Sequence, residues 1–116
     1  MTSAVTFSER SVGGVTVLTI RGDLKVDSGV KEFTDRIRAL LGQDRPALLV
    51  DVSGVGFVDS AGLGAIVQAY ATAKRQGGAL KLLNPTKRIR DLLVITKLAT
   101  VLPMFEDEPT ALQSFQ

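Results

Sequence analysis

The run Asp59-Ser60-Ala61-Gly62-Leu63-Gly64 is the place where this sequence could do chemistry. Asp59 and Ser60 are both good helix N-caps, and a helix needs only one. If Asp59 caps, the Ser60 hydroxyl is left at the helix start, facing solvent. A phosphate placed there would meet unpaired backbone N–H groups and the positive end of the helix dipole. Gly62 and Gly64 would fall in the first turn. Each costs up to ~1 kcal/mol relative to alanine inside a helix, and less near an end. Two such residues suggest that something approaches the backbone closely. A plainer reading stays open beside this one: Ser60 is itself the cap, and the glycines only accommodate packing.

Several chemistries are excluded. The run lacks the Gly-Lys-Ser/Thr ending of a phosphate-binding loop. There is no histidine, so no imidazole can activate Ser60, and there is no cysteine. Disulfides, thiolate metal sites and a cysteine nucleophile are therefore ruled out. Asp51 and Asp59 could be taken for paired acid–base carboxylates, but Asp51 falls inside a strand and nothing brings it near Asp59. No catalytic residue, metal site or cofactor is expected. The net charge of +2 and the scarcity of aromatic residues give no sign of a nucleic-acid surface.

Placing the run requires the elements around it. The 116 residues, 45% apolar and 22% charged, suit one globular domain. The ordered core is expected over about residues 5–115 of a single domain spanning 1–116. Val5, Phe7 and Glu9 alternate with Thr6 and Ser8 as in a strand. Gly13-Gly14 can turn a hairpin into the β-branched run 15–20, which ends at Gly22. Val30, Phe33, Ile37, Leu40 and Leu41 form a helical stripe, with Asp27 or Ser28 as cap and Gly42 as stop. The apolar run 47–52 suits a central parallel strand buried on both faces. Leu63, Ile66, Val67 and Tyr70 give a second helix, which stops at Gly77-Gly78. Leu80, Leu82 and Leu83 mark a strand. Ile89, Leu92, Leu93 and Thr96 mark a third helix entered through Asn84-Pro85-Thr86. Residues 101–105 read as a strand that Pro103 confines to a sheet edge. Asp107, Glu108 and Pro109 open a last short helix with Ala111, Leu112 and Phe115. The fold class is α/β: a mostly parallel five-strand mixed sheet, antiparallel only at its first strand, covered by about four helices. The run of interest then lies at the carboxyl end of the central strand, where sites of such sheets form.

With those residues in place, the chain resembles the STAS domains, and more narrowly the bacterial anti-sigma factor antagonists. The resemblance rests on Asp59-Ser60-Ala61-Gly62-Leu63-Gly64 after Phe57-Val58. It extends to Gly22-Asp23-Leu24, to Gly77-Gly78-Ala79-Leu80-Lys81-Leu82, to Ile95-Thr96-Lys97-Leu98 and to Glu108-Pro109-Thr110-Ala111-Leu112. It implies a non-enzymatic binding module whose unphosphorylated form binds an anti-sigma factor serine kinase and so releases a sigma factor. Phosphorylation of Ser60 would switch binding off. The implied contact residues are Asp59, Ser60, Ala61, Gly62 and Gly64, with Lys25 near Ser60 as countercharge for a phosphate. Departures from the family pattern are Lys25, where an acidic or amide residue is common, Ala61 for a frequent serine or threonine, and Lys97 for a usual glycine.

Two other readings compete. One is a non-switching scaffold of the same fold, in a stress-signalling assembly or as the cytoplasmic subunit of a lipid transporter. The other is a nucleotide-binding protein or weak hydrolase. Lys87, Arg88 and Arg90 read as a solvated face or as a contact for an acidic partner surface. Arg36 and Arg38 are expected to face solvent. The opening Met1-Thr2-Ser3-Ala4 has no signal-peptide pattern and no apolar stretch nears ~20 residues, so the cytoplasm is expected, with no membrane insertion.

Overall fold

The computed structural model describes residues 5–116, so Met1 to Ala4 lie outside the described residues. The sheet is built outward from β3 (Ala47–Gly54), its central strand. β2 (Val15–Arg21) and β4 (Ala79–Leu83) flank it in parallel. β1 (Thr6–Val12) pairs antiparallel with β2 through the Gly13-Gly14 turn, where both glycines take positive φ. β5 (Met104–Phe105) is the far edge, parallel to β4. The five strands therefore lie in chain order, and the expected mixed sheet is present.

That order dictates the layering. When successive parallel strands step across a sheet in one direction, crossovers of one hand all fall on one face. α1 (Val30–Leu40), α2 (Ser60–Arg75) and α3 (Lys87–Ile95) do so. Phe33 and Ile37 of α1, Ile66 and Ala69 of α2, and Ile89 and Leu93 of α3 pack with Leu48, Val50 and Val52 of β3 in one core. Among the described residues the other face has a single covering helix, α4 (Glu108–Gln113), whose Ala111 sits on Val15, Val17, Leu49 and Leu83. Lys81 ties this end down. Its ammonium donates to the Ser114 carbonyl at 2.8 Å and hydroxyl at 2.9 Å, and lies 4.4 Å from the Phe115 ring centre. Burial pushes the Lys81 pKa below its ordinary value. Arg10 and Glu108 add an ion pair across the same face.

Three local expectations differ from the structure. Neither Asp27 nor Ser28 caps α1. Gly29 does, at φ 88, because a side chain there would come within 2.7 Å of the Asp23 carbonyl oxygen. The strand foreseen over residues 101–105 is only Met104–Phe105. A 3₁₀ turn at Leu98–Thr100 uses the preceding chain, and Pro103 stands just before the edge strand, where its carbonyl accepts from Leu82. Arg36 is exposed as expected, and it also lies 5.5 Å from the Phe7 ring centre and bonds Glu9 at 3.1 Å. The third helix, expected to include Thr96, stops at Ile95, with Thr96 as its C-cap.

Lys97 follows that cap at φ 65, the left-handed conformation in which many helices place glycine. A side chain there is strained by about 1 kcal/mol or more. Lys97→Gly is therefore expected to stabilise the domain by about 0.5–1 kcal/mol, once the greater freedom of glycine in the unfolded chain is deducted. Urea unfolding of both proteins checks this, and a lower midpoint for the variant would contradict it.

Candidate functional site

The loops after β2 and β3 leave neighbouring parallel strands at the same end, so residues far apart in sequence meet there. They are zipped together by backbone. The Leu24 N–H donates to the Phe57 carbonyl at 2.9 Å, and the Asp59 N–H donates to the Leu24 carbonyl at 3.2 Å. Leu24 and Val58, both buried, form a short parallel bridge. Lys25 and Ser28 exchange backbone hydrogen bonds of 2.7 and 2.9 Å, closing the turn that carries Lys25 and Val26.

Asp59 locks this junction. It is the N-cap of α2 in extended conformation, and one carboxylate oxygen accepts from the Gly62 N–H at 2.8 Å. The other accepts from the Val26 N–H at 2.9 Å, across the two loops. These bonds stabilise the ionised form. The Val26 N–H first, then the Gly62 and Ala61 N–H groups and the charge of Lys25, hold the carboxyl below the usual carboxylate range. With Asp59 capping, Ser60 is the first residue of α2 and is exposed. Its hydroxyl has no hydrogen-bond partner among the described residues, and Ala61 beside it is half-buried.

The two glycines play different parts. Gly64 is exposed, and a side-chain carbon there would meet nothing within 4 Å. Gly62 is buried: the same carbon would sit 2.2 Å from the Leu24 carbonyl oxygen and 2.9 Å from the Val58 side chain. Gly62 opens the backbone to the chain's own β2–α1 loop, and Gly64 faces outward. Lys25 is half-buried and close enough to Asp59 for its charge to act there. Asp51 stays apart from this cluster, with its carboxylate accepting from the Ser53 N–H at 3.0 Å.

Sequence reasoning missed Val26 and Phe57. Val26 supplies the backbone donor that fixes Asp59, and its side chain is 76% exposed. Phe57 is exposed with the Arg88 guanidinium 5.8 Å from its ring centre. The available signal was faint, because Leu24 in one loop and Val55 and Val58 in the other are apolar as well and are buried.

A sequential mixed sheet with three helices on one face, and an aspartate-capped serine at the start of α2, define a class, and the whole-chain comparison agrees. The chain belongs to the STAS domain family, whose model matches residues 7–111. The anti-sigma-B factor antagonist of Bacillus subtilis is 41% identical over 61 residues, 53% of each chain, so the match spans about half the length of that relative. An anti-sigma factor antagonist from Mycobacterium paratuberculosis superimposes with a TM-score of 0.85 at 22% identity, covering 97% of this chain and 94% of the other. The Bacillus cell fate determinant SpoIIAA in its phosphorylated form shares the fold at a TM-score of 0.74 and 20% identity, over 96% of this chain and 100% of its own.

Two expectations follow from the site geometry. Gly62→Ala should cost at least about 2 kcal/mol, since a backbone oxygen must move, whereas Gly64→Ala should be neutral or stabilise by up to about 1 kcal/mol. Equal effects in chemical denaturation would contradict the distinction. Asp59→Ala should lower the Tm by roughly 3–8 °C at neutral pH. The folded-state pKa of Asp59 lies below the unfolded value, so its contribution is complete above about pH 5 and fades as pH falls below about 4. Melting curves of both proteins across that range should therefore converge in acid, and a constant gap would show that the charge of Asp59 is not involved.

Proposed function

We propose that this protein is an anti-sigma factor antagonist. In this reading the unphosphorylated domain binds an anti-sigma factor serine kinase in the cytoplasm and frees the sigma factor. Phosphorylation of Ser60 switches the binding off. The observation that carries the reading is the division of labour at the start of α2. Asp59 commits one carboxylate oxygen to the Gly62 N–H in the first turn of α2 and the other to the Val26 N–H of the β2–α1 loop, so capping is complete without Ser60, whose hydroxyl is presented to solvent. Relatives named as antagonists, and a protein of the same fold solved in a phosphorylated form, support it.

The domain is then substrate and binding module, not catalyst. The Ser60 hydroxyl oxygen attacks the terminal phosphorus of ATP held by the kinase, its proton passes to a base on that kinase, and ADP leaves. Asp59 keeps the serine at the exposed corner of the helix. Gly64 leaves room for the partner, and Gly62 lets the corner form. The phosphate would lie beside the first-turn N–H groups, where a negative charge gains ~0.3–1 kcal/mol. Lys25 supplies a countercharge and Asp59 repels, so the fold itself should change little in stability. At the interface the same phosphate, carrying about −1.5 to −2 charges, would be stripped of water against a partner that already holds nucleotide phosphates.

Calorimetry against the purified anti-sigma factor serine kinase provides the test. Unmodified protein and Ser60→Ala should bind alike. Ser60→Asp should bind about tenfold more weakly or worse, which is about 1.4 kcal/mol or more, and the phosphoprotein more weakly still. Kinase and ATP should phosphorylate the wild type but not Ser60→Ala. Tight binding by the phosphoprotein, or a phosphosite elsewhere in the loop, would overturn the mechanism.

A further inference from the structure

α3 carries more apolar surface than the core uses. Ile89 and Leu93 are buried, yet Val94 and Ile95 in the same short helix are 60% and 76% exposed. Beside them, α3 and the loop ahead of α2 enclose an open groove of about 480 Å³, floored by Phe57, Leu92 and Ile95. Its charged rim is Lys87, Arg88 and Asp91. Lys87 and Asp91 neutralise each other at 2.8 Å, leaving the Arg88 guanidinium as the uncompensated charge of the lining. Arg88 has no carboxylate partner among the described residues and rests against the Phe57 ring. An arginine stacked on an aromatic ring, at the edge of an exposed apolar surface, has the composition of an interface hot spot. Phe57 and Val58 of the lining lie just ahead of Asp59 in the chain, so the groove adjoins the loop that leads to Ser60.

We propose that this groove is a second contact surface for the partner, separate from the Ser60 corner. It takes an apolar side chain of the partner between Phe57, Leu92 and Ile95, while an adjacent partner carboxylate pairs with Arg88. The chemistry is set by the lining: an apolar floor excludes a charged insert, and a net positive rim selects an acidic neighbour. The proposal rests on the reading of this chain as an antagonist of an anti-sigma factor and identifies where that factor docks besides the serine. Ser60 would supply the switch and the α3 groove a constant part of the affinity. Arg88 would then have a place in the complex that a merely solvated cluster of basic residues lacks.

Calorimetry of the unphosphorylated full chain with each purified anti-sigma factor serine kinase of the source organism separates the possibilities. Ile95→Ser should weaken binding about tenfold or more while leaving the melting temperature unchanged, because the side chain is already exposed. Arg88→Glu should weaken it similarly and flatten its dependence on salt, and Arg88→Lys should recover part of the loss. If Ser60→Asp binds poorly but Ile95→Ser and Arg88→Glu bind like the wild type, the groove is no contact surface and the antagonist reading stands. If Ile95→Ser and Arg88→Glu weaken binding and Ser60→Asp does not, the groove is supported and the serine switch fails. If the wild type binds none of the kinases, the antagonist reading and the groove both fall.

Discussion

Residue 62 has no side chain because the Leu24 carbonyl oxygen occupies the space one would need, and much else at this end of the molecule follows from that contact. With the first turn of α2 pressed against the β2–α1 loop, the Leu24 backbone can bond both sides of the other loop, to Phe57 and to Asp59. Asp59 is then within reach of the Gly62 and Val26 N–H groups at once. A side chain at position 62 would push the helix off the loop and leave Asp59 as an ordinary cap with one free oxygen. The geometry of the serine corner therefore depends on a residue that never reaches the surface.

The layering has a similar economy. Strands in chain order send every crossover to one side, so α2 and α3 lie on the same face with the loop between them. That arrangement puts Phe57 under Arg88 and creates the groove that adjoins the loop leading to Ser60. The opposite face depends on one short helix, held by Ala111 in its apolar patch, by Lys81 at the Ser114 carbonyl and hydroxyl, and by the Arg10–Glu108 pair. A six-residue helix has little stability of its own. Packing and these ties hold it, on the face away from α2 and its Ser60 corner.

Electrostatics at the serine corner are set mainly by backbone. The chief causes that hold Asp59 ionised are N–H groups, with Lys25 adding a smaller Coulombic share. N–H donors fixed by the fold cannot move away when the surroundings change, whereas a lysine can. The corner is thus held by the fold itself, and Lys25 adds to an arrangement that stands without it.

The sequence by itself determined the α/β class, the five strands and their order of appearance, and an Asp59-Ser60 pair at a helix start, though not which of the two caps it. These are local matters: period-two and helical apolar patterns, turn glycines, and cap residues act within a few positions of one another. Pro103 marked its surroundings as edge because a residue without an N–H cannot serve a central ladder. What the sequence left undecided required partners distant along the chain. The cap of α1 passed to Gly29, the strand near Pro103 shrank to Met104–Phe105, and Gly62 turned inward while Gly64 stayed outside. Only the tertiary structure brought Val26 to Asp59 and Arg88 to Phe57. The physical reason is the same in each case. Whether a glycine is filled by a neighbour, or an apolar residue finds a core, depends on which surfaces the crossovers bring together, and no short-range pattern records that.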